Sequence, residues 1–540
     1  MIKQIKDIIL VVLAALTLAC TQSSNKNQVS GFKNHPNIVI IYTDDQGSGD
    51  VSSLNPEAKF NTPNLDKMVN EGVTFTDGHS SDAVCSPSRY TLLTGRYSWR
   101  TSLKKGVLGA DGPCLIDDGR MTIASILKEQ GYNTAMVGKW HLQMDFAGTK
   151  GKDRDWSKPF TDGPIEKGFD YFFGLPASMN FGVLTYLEND RVLEPATLWT
   201  KKKKNPIPSS FHNAVSPADY RMTPPFQVEP ESKGWIEAAP SFNDELVLET
   251  LASKAVDYIN RVADEAKNGK PFFLYFPLTS PHLPHCTHPD FRGRSNCGNY
   301  GDFMEETDYR IGQVLEALKE NGLEENTLVI FSSDNGAETN YEYWREKYNH
   351  LSSLHFKGGK RDIYEGGHRV PFLMRWPKVI KAGSKVDVPV CQSDYLATIA
   401  DIVGAEIPEN AAEDSYSLLP LISENIPEEE YQSDRAIIHH SASGHFAIRK
   451  GKWKLNMLRG SGGSFKPVFI EPAEGEALYE LYNIDTDPGE TINLYFEQPE
   501  IVKTLKAEIS QIINAGRSTE GVPQDFVKEN WDQITWMKLQ

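Results

Sequence analysis

One cysteine of this chain lies in a stretch whose residue types could do chemistry, SSDAVCSPSRYTLLTGR at residues 80–96. Cys85 is followed after four residues by Arg89, a spacing that puts the arginine about one helical turn from the thiol. Five interpretations of Cys85 are open from these residues. It could be a core residue, a disulfide partner, a metal ligand, a free nucleophile, or a side chain that is converted into another group.

Oxygen donors form a second group. Asp44 and Asp45 follow the apolar run NIVIIYT, and Asp334 and Asn335 follow NTLVIFSS. One adjacent acidic pair would be weak evidence, because such pairs are common in loops, but two pairs that each end an apolar run favour a metal site. Hard oxygen donors with no soft ligand nearby select calcium or magnesium rather than zinc.

Lysine and histidine side chains form a third group, which would suit an anionic substrate. Lys139 and His141 stand two residues apart in GKWHL, so an extended backbone would place them on the same side. His282 follows an apolar run in TSPHLPH, and Lys360 lies beside glycines that would let the backbone approach a ligand. The alternatives are structural, with GKWH as a strand end and His282 as a loop histidine.

Apolar runs rich in β-branched and aromatic residues are typical of strands covered on both faces, and they predict strands at 37–45, 133–140, 270–280, 326–335 and 370–376. Helical patterns alternate with them at 62–72, 122–131, 245–264 and 303–322, the first with a Thr cap and Pro in its first turn. This alternation predicts an α/β sheet. Ligands of such sheets bind beyond the carboxyl ends of the strands, where the polar groups would converge.

The pattern changes at two places along the chain. Residues of about 181–243 are rich in Pro, charge and aromatic residues without clear periodicity, which predicts a long insertion that could cover the site. After residue 430 the pattern predicts antiparallel strands and then a helix at about 499–515. We therefore predict a catalytic domain at 35–430 and a smaller C-terminal α+β subdomain at 431–540.

The first residues are typical of an export segment, with Lys3 and Lys6 before a short apolar run. The run closes on LTLAC, which resembles the lipobox of bacterial lipoproteins. We expect a signal peptide at 1–20, lipidation of Cys20, a tether at 21–34 and membrane attachment through the lipid alone; a plain secretory signal is the alternative. No acidic run follows Cys20, which favours the periplasmic face of the envelope.

Charge and cysteine usage exclude other classes. The net charge of −17 argues against a nucleic-acid partner. The five cysteines besides Cys20 are too few to form a disulfide framework. Cys286 and Cys297 could form a bridge across a loop or remain two reduced thiols. No CxxC motif or paired Cys/His spacing indicates zinc.

The run CSPSR at 85–89, continued by TGR at 94–96, resembles the signature of the type I, formylglycine-dependent sulfatases. Further stretches over about residues 36–500 resemble that family in the same order, namely NIVIIYTDDQG, TPNLDKMVNEGVTFTDGHS, GYNTAMVGKWHL, KGFDYFFG, FSSDNG, YEGGHRVPF and LYELYNIDTDPGETINL. The resemblance places the chain in the alkaline-phosphatase-like superfamily. It implies an α/β fold with a large mixed β-sheet sandwiched by helices and a smaller C-terminal α+β domain.

The resemblance also implies site roles. Cys85 would be oxidised to formylglycine by a sulfatase-maturating enzyme, and Arg89 would help hold the product. The implied ligands of one calcium ion are Asp44, Asp45, Asp334, Asn335 and the converted side chain of Cys85. The implied groups around the sulfate are Lys139, His141, His282 and Lys360, where Lys360 is preferred to Lys357 because it keeps the family's spacing to YEGG.

The implied reaction is hydrolysis of a sulfate ester. A hydrate of the aldehyde would attack sulfur, His282 would protonate the leaving alcohol, and His141 would deprotonate the second hydroxyl so that sulfate leaves. The expected substrates are glycosaminoglycan or mucin saccharides, with 6-O-sulfate of galactose or N-acetylgalactosamine as the best candidate. The alternatives are a phosphonate or phosphodiester hydrolase of the same superfamily and a non-catalytic glycan-binding lipoprotein.

Overall fold

The computed structural model describes residues 35–150, 152–201, 235–423, 431–432 and 434–539. The predicted signal peptide, the lipidation site Cys20 and the tether lie outside the described residues, as does the middle of the predicted insertion, 202–234. Residues 424–430, next to the predicted domain boundary, lie outside them too. None of the described helices has both the length and the apolar character needed to cross a membrane.

The described α-helices are α1 (Pro63–Glu71), α2 (Cys85–Thr94), α3 (Ile123–Glu129), α4 (Val247–Lys267), α5 (Gly298–Glu320), α6 (Tyr341–Tyr348), α7 (Glu365–His368), α8 (Tyr395–Val403), α9 (Leu419–Ile422) and α10 (Pro499–Ala515). The described strands are β1 (Asn37–Asp44), β2 (Val73–Phe75), β3 (Gly78–His79), β4 (Asn133–Lys139), β5 (Tyr171–Leu175), β6 (Val183–Leu184), β7 (Leu187–Glu188), β8 (Arg191–Val192), β9 (Leu198–Lys201), β10 (Trp235–Ala238), β11 (Phe272–Pro281), β12 (Thr327–Ser333), β13 (Phe372–Arg375), β14 (Ser384–Val386), β15 (Val390–Cys391), β16 (Ala436–His440), β17 (Phe446–Lys450), β18 (Trp453–Asn456) and β19 (Glu480–Asn483).

The largest sheet has ten strands in the order β14-β2-β13-β12-β1-β11-β4-β5-β7-β8. Its middle strands β12, β1, β11, β4 and β5 are parallel neighbours, and the outer pairs β12–β13 and β5–β7 are antiparallel. The sheet is therefore mixed, as predicted. Because the parallel strands run in one direction, the residues that follow them meet at the same edge.

Both faces of this sheet are covered, which explains why its strands are apolar without alternation. In β1, Ile38, Ile40 and Tyr42 pack with α2, α3 and α8, whereas Val39 and Ile41 pack with α1, α4 and α5. Burial of each such side chain stabilises the fold by about 1.5–3 kcal/mol. The two cores hold the strands rigidly, and with them the residues at the strand ends.

The start of α1 differs from the prediction of a Thr cap. Thr62 precedes the helix, but its side chain does not cap it and instead accepts a hydrogen bond from the backbone N–H of Ser52 at 2.8 Å. The helix N–H groups of Asn64 and Leu65 donate to Asp308 of α5 at 3.1 and 2.9 Å. A side chain from another helix therefore satisfies the orphan donors of the first turn.

Smaller sheets flank the large one. Part of the predicted insertion is ordered as a sheet of β6, β10 and β9, while β7 and β8 extend the large sheet. The C-terminal region forms the antiparallel sheet β16-β17-β18-β19, and α10 packs on it, which confirms the smaller α+β domain. Tyr97 and Trp99 join this second core from the larger domain. Cys286 and Cys297 are free thiols in the structure.

Candidate active site

Four neighbouring parallel strands deliver the predicted polar residues to one edge of the sheet. Asp44 ends β1 and Lys139 ends β4, while His282 follows β11 and Asp334–Asn335 follows β12. In the sheet these strands lie side by side in the order β12-β1-β11-β4. Every one of these residues is buried. The convergence expected from the sequence is therefore what the topology produces.

Cys85 is the first residue of α2. Val84 before it is extended, and Pro87 lies in the first turn, where its missing N–H leaves no hydrogen bond unmade. The Cys85 Sγ atom lies 3.4 Å from Asp44 Oδ1, and the whole of α2 is buried. Burial raises the pKa of the Cys85 thiol well above its ordinary value, and the charge of Asp334 adds to the effect. The unmodified thiol is thus poorly suited to act as a thiolate nucleophile.

Arg89 lies one turn further along α2 and connects several strand ends. Its Nη2 and Nε atoms donate to Asp334 Oδ2 at 2.6 and 3.1 Å. Its Nη1 atom donates to the backbone oxygen of Lys139 at 3.4 Å, and its guanidinium lies 5.4 Å from the centre of the Tyr42 ring. These contacts fix α2, and with it Cys85, against the edge of the sheet.

The carboxylates of Asp44 and Asp45 each face a lysine. Lys139 Nζ lies 2.5 Å from Asp44 Oδ2, and Lys360 Nζ lies 2.6 Å from Asp45 Oδ2. Burial alone would raise the pKa of Asp44, but Lys139 and Arg89 outweigh it and hold that pKa below its ordinary value. At Asp45 burial dominates, and it raises the pKa well above the ordinary value although Lys360 opposes it.

The structure distinguishes the two lysines of FKGGKRD. Lys360 points into the site, whereas Lys357 donates to the backbone oxygen of Glu490 at 3.2 Å. A close backbone contact holds this loop, because a Cβ atom at Gly366 would lie only 2.2 Å from the backbone oxygen of Gly358. Glycine is needed where two backbones pack this closely. The preference for Lys360 over Lys357 thus agrees with the geometry.

His282 and His141 approach the carboxylates from two further sides. His282 Nε2 lies 3.7 Å from Asp45 Oδ2, and its Nδ1 contacts the backbone oxygen of Leu283. His141 Nε2 lies 3.0 Å from the backbone oxygen of Leu108, while its Nδ1 is buried and has no hydrogen-bond partner among the described residues. Burial lowers the pKa of each imidazole well below its ordinary value, and nearby cations add to that. Both histidines are therefore neutral here.

The prediction of an extended backbone through Lys139 and His141 is wrong. Strand β4 ends at Lys139, and His141 has a positive φ of 61°, so the segment is not extended through both residues. The alternation of an extended strand therefore does not set the direction of the His141 side chain. Its ring instead lies 5.5 Å from the ring of Phe181, where the predicted insertion begins.

A hard cation would fit this site. Asn335 Nδ2 donates to Asp45 Oδ1 at 2.8 Å, which leaves Asn335 Oδ1 buried without a hydrogen-bond partner in the described part of the chain. Ligand atoms of Asp44, Asp45, Cys85 and His282 lie within 4.8 Å of one another. Asp334 adds a third carboxylate to those of Asp44 and Asp45. Three carboxylates and an unsatisfied amide oxygen form a donor set that calcium favours.

Glu338 is a further residue of the site, and the sequence pattern did not predict it. This buried carboxylate lies three residues beyond Asn335, and its Oε2 atom is 3.8 Å from Lys360 Nζ. Burial works to raise the pKa of Glu338, but Lys360 outweighs it and holds that pKa well below the ordinary value. Lys360 is thus held between two carboxylates. In the sequence Glu338 is the last residue of SSDNGAE. A single Glu near a strand end is common, so this residue only weakly indicates a functional site.

Comparisons with known proteins agree with this geometry. The Sulfatase family model matches residues 36–405, and the model of the C-terminal region of N-sulphoglucosamine sulphohydrolase matches residues 355–515. The N-acetylgalactosamine-6-O-sulfatase of Bacteroides thetaiotaomicron is 30% identical over 526 residues, which cover 92% of this chain and 97% of that protein. Human arylsulfatase A is 31% identical over 489 residues, which cover 87% of this chain and 86% of that protein.

A solved structure from the metabolism of multiple glycosaminoglycans by Bacteroides thetaiotaomicron has the same fold, with a TM-score of 0.73 at 27% identity. The similarity covers 89% of this chain and 99% of that one. The family match includes the four strand ends and the cysteine helix that form the site. The chain therefore belongs to the sulfatase family, and it is an enzyme that hydrolyses sulfate esters.

Proposed function

We propose that this sulfatase removes O-sulfate from glycosaminoglycan or mucin saccharides, with 6-O-sulfate of galactose or N-acetylgalactosamine as its preferred group. The similarity to an N-acetylgalactosamine-6-O-sulfatase over nearly the whole chain supports the choice of sugar and position. The observation that carries the proposed chemistry is the place of Cys85. It begins a buried helix 3.4 Å from Asp44, at the edge where Lys139, Lys360 and Arg89 converge.

Conversion of Cys85 to formylglycine fits its surroundings. The thiol itself is a poor nucleophile there, because burial raises its pKa. The aldehyde would supply a hydrate with one hydroxyl to attack sulfur and a second to release the sulfate. Arg89, one helical turn away and fixed by Asp334, would hold the converted side chain in place. The proposed partner in this step is a sulfatase-maturating enzyme.

Calcium is the proposed metal. Asp44, Asp45, Asp334 and Asn335 would hold it together with the side chain at position 85. When bound, the ion supplies positive charge that offsets the charge of the sulfate and of the transition state. The Oδ1 atom of Asn335 supports this assignment, because it is buried and has no hydrogen-bond partner among the described residues.

Lys139 and Lys360 have the charge to bind an anionic sulfate beside the carboxylates. Both are buried, so their attraction is stronger than it would be in water. A sulfate ester that enters the site brings negative charge close to both lysines. We expect the positive charges of the two lysines to orient the sulfate so that its sulfur faces position 85. They would also compensate the negative charge that develops during attack.

The two histidines suit opposite proton transfers. The Nε2 atom of His141 donates to the oxygen of Leu108, so its unpartnered Nδ1 carries the lone pair that a general base needs. His282 must gain a proton before it can act as an acid. An anionic substrate beside it would raise its pKa, so the proton would be gained together with the substrate. We assign His141 as the base and His282 as the acid.

We also propose that the enzyme is exported and lipid-anchored through Cys20, and that it works at the periplasmic face of a bacterial envelope. The support is the short apolar run that ends at LTLAC. Replacement of Cys20 by Ser should release the protein from the membrane fraction. Retention of that variant in the membrane would contradict the proposal.

The test of the reaction uses the enzyme produced together with a maturating enzyme. We expect the mass of the peptide containing Cys85 to be about 18 Da below that of the unmodified peptide. Cys85→Ala should lower kcat/KM on a 6-O-sulfated N-acetylgalactosamine substrate on the order of 10⁴-fold or more. Cys114→Ala, the loss of a free cysteine outside the site, should retain activity.

Position-defined saccharides test the substrate. A panel of mono- and disaccharides sulfated at single positions, scored for free sulfate, should show turnover of the 6-O-sulfates first. A phosphate ester of the same sugar separates the sulfatase from a phosphodiester or phosphonate hydrolase. Preference for another sulfate position would overturn the proposed specificity, and near wild-type turnover by Cys85→Ala would overturn the proposed chemistry.

A further inference from the structure

The exposed fractions of the site residues show where the active site opens to solvent. His282, Lys360 and Cys85 are 5%, 4% and 2% exposed, whereas Asp44 and Lys139 are fully buried. The opening of the site therefore lies beside Lys360 and Cys85. A sulfate that reaches these residues leaves its sugar in the opening, so the next unit of a longer saccharide meets the surface around it.

Arg361 lies on that surface. It follows Lys360 in the chain, so the Cα atoms of the two residues are about 3.8 Å apart. The backbone N–H of Arg361 donates to the oxygen of Ala83 at 2.7 Å, and Ala83 precedes Cys85 by two residues. Arg361 thus stands next to both parts of the opening, and it is exposed where Lys360 is buried.

The backbone of Arg361 is held in an uncommon conformation. Its φ of 83° is left-handed, which is rare and unfavourable for a residue other than glycine. The N–H of Ala442, in the C-terminal subdomain, donates to the oxygen of Arg361 at 3.0 Å. Because Ala83 belongs to the larger domain, contacts from both domains keep Arg361 at the edge of the opening.

The Arg361 side chain forms no ion pair with any acidic residue in the described part of the chain. Its Nη1 atom lies 3.5 Å from the hydroxyl oxygen of Ser464, which is a neutral group. Lys105 is a second exposed cation beside Ala442, because the N–H of Gly106 donates to the oxygen of Ala442 at 2.8 Å. Two exposed positive charges therefore lie at the opening, although the net charge of the chain is −17.

We propose that Arg361, with Lys105 beside it, binds a second anionic group of the substrate, carried by the saccharide unit next to the sulfated sugar. This inference rests on the proposed function, and it narrows the proposed substrates to saccharides of the glycosaminoglycan type, which carry a second negative charge. The group is an oxyanion, either a uronate carboxylate or a second sulfate. The arginine fork binds such a group through two parallel N–H···O hydrogen bonds, whereas a neutral sugar offers no such partner.

The test compares disaccharides that differ only in the unit next to the sulfated sugar. That unit is a uronate, a neutral hexose, or a hexose sulfated at a position that the enzyme does not hydrolyse. The sulfated sugar is 6-O-sulfated N-acetylgalactosamine or whichever sugar the panel of position-defined saccharides selects. Wild-type enzyme produced with a maturating enzyme should bind the charged disaccharides with a KM about tenfold below that of the neutral one. Arg361→Gln should lose most of this preference, and the loss should appear in KM rather than in kcat.

Two further variants separate the Arg361 fork from charge in general. Arg361→Lys keeps the charge without the fork, so it should retain a preference of about two- to fivefold. Arg459→Gln is the matched control, because Arg459 lies between β18 and β19 as Ser464 does, but its Nη1 atom already pairs with Glu476 Oε2 at 2.5 Å. It should keep the wild-type preference. The preference should also weaken at about 1 M salt, where the Debye length is about 3 Å.

Equal KM values of wild type for the charged and the neutral disaccharides would overturn the inference, as would an equal change of all of them in Arg361→Gln. A preference for only one of the two charged units would support it and identify the anionic group. Failure of the proposed function is a separate result. It would appear in the panel as a preference for another sulfate position, and the disaccharides are then built on that sugar.

Discussion

The active site and the domain interface each contain a buried set of ion pairs with similar distances. In the active site Lys139 lies 2.5 Å from Asp44, and at the interface Lys454 of β18 lies 3.1 Å from Glu365 of α7. All four side chains have exposures below 5%. The active-site pair stands at the ends of β4 and β1, which belong to one sheet. The interface pair joins strand β18 of the C-terminal sheet to helix α7 of the larger domain.

The burial of an ion pair therefore does not by itself reveal what the pair does. A pair at rigid strand ends can change partners when a substrate arrives, since the backbone around it is held by two cores. A pair between the two domains contributes to their docking instead. Substitutions should therefore affect turnover in the first set and stability in the second.

The largest effect should follow from Asp45→Asn in the active site. It removes a proposed calcium ligand and the carboxylate that faces both Lys360 and His282. We expect kcat/KM to fall on the order of 10⁴-fold. Steady-state assays with a sulfated saccharide measure this loss of kcat/KM. Unfolding in urea should show a smaller loss of stability than the loss expected for Lys454→Met, the variant described next, because Glu338 remains beside Lys360. If a folded Asp45→Asn enzyme kept more than roughly a tenth of wild-type activity, the Asp45 carboxylate would not be needed for catalysis.

The next effect should be a loss of stability in Lys454→Met. This side chain is fully buried between Glu365 at 3.1 Å and Glu490 at 2.9 Å. Its removal leaves Glu490 without an ion-pair partner among the described residues, whereas Glu365 keeps Arg369. We expect the free energy of unfolding to fall by about 3–5 kcal/mol. Turnover per folded molecule should stay close to that of wild type.

Lys450→Met is the matched control for that variant. Lys450 belongs to the neighbouring strand and also forms a 2.9 Å pair, with Glu508, but both side chains are partly exposed. An exposed pair contributes about 0–1 kcal/mol, so this variant should unfold almost as wild type does. Equal losses in the two variants would show that burial does not distinguish them.

A third effect separates two lysines of one loop. Lys360→Met should lower kcat about 10²–10³-fold, because it removes one buried positive charge from the transition-state surroundings. Lys357→Met, three residues earlier, removes a lysine that bonds to the backbone of Glu490, and its kcat should stay within about threefold of wild type. Sulfate release under saturating substrate measures both. The reverse order of losses would restore Lys357 as the site residue.

Part of the site could be predicted because Asp44, Asp334 and Lys139 each end or directly follow a strand with a clear apolar run. The run before Asp44 must be buried on both faces, and the parallel neighbours of β1 then bring Asp334 and Lys139 to the same edge. The prediction failed where the backbone leaves the strand. His141 has a left-handed backbone, which alternation along an extended chain does not anticipate.

The meeting of His79, His368 and His439 at the domain interface could not be predicted. His79 and His368 are 289 residues apart, and His439 lies in the second domain, so no local spacing indicates that the three lie together. A search for paired Cys and His spacings finds nothing, since each histidine stands on a separate element. Only the docking of β16 beside β3 and α7 brings the imidazoles together. The short strands β7 and β8 were also not predicted, for a different reason. Strands of two residues are too short to show a periodic pattern.

The burial of the cysteine helix also sets an order of events during biogenesis. Cys85 is 2% exposed, every residue of α2 is buried, and the segment before it is paired with β16. The proposed maturating enzyme could not reach this side chain in the finished fold. The proposed oxidation would therefore have to reach Cys85 while the chain is still unfolded, so that maturation would compete in time with folding. Under that proposal, a chain that folds too quickly would keep its thiol and stay inactive.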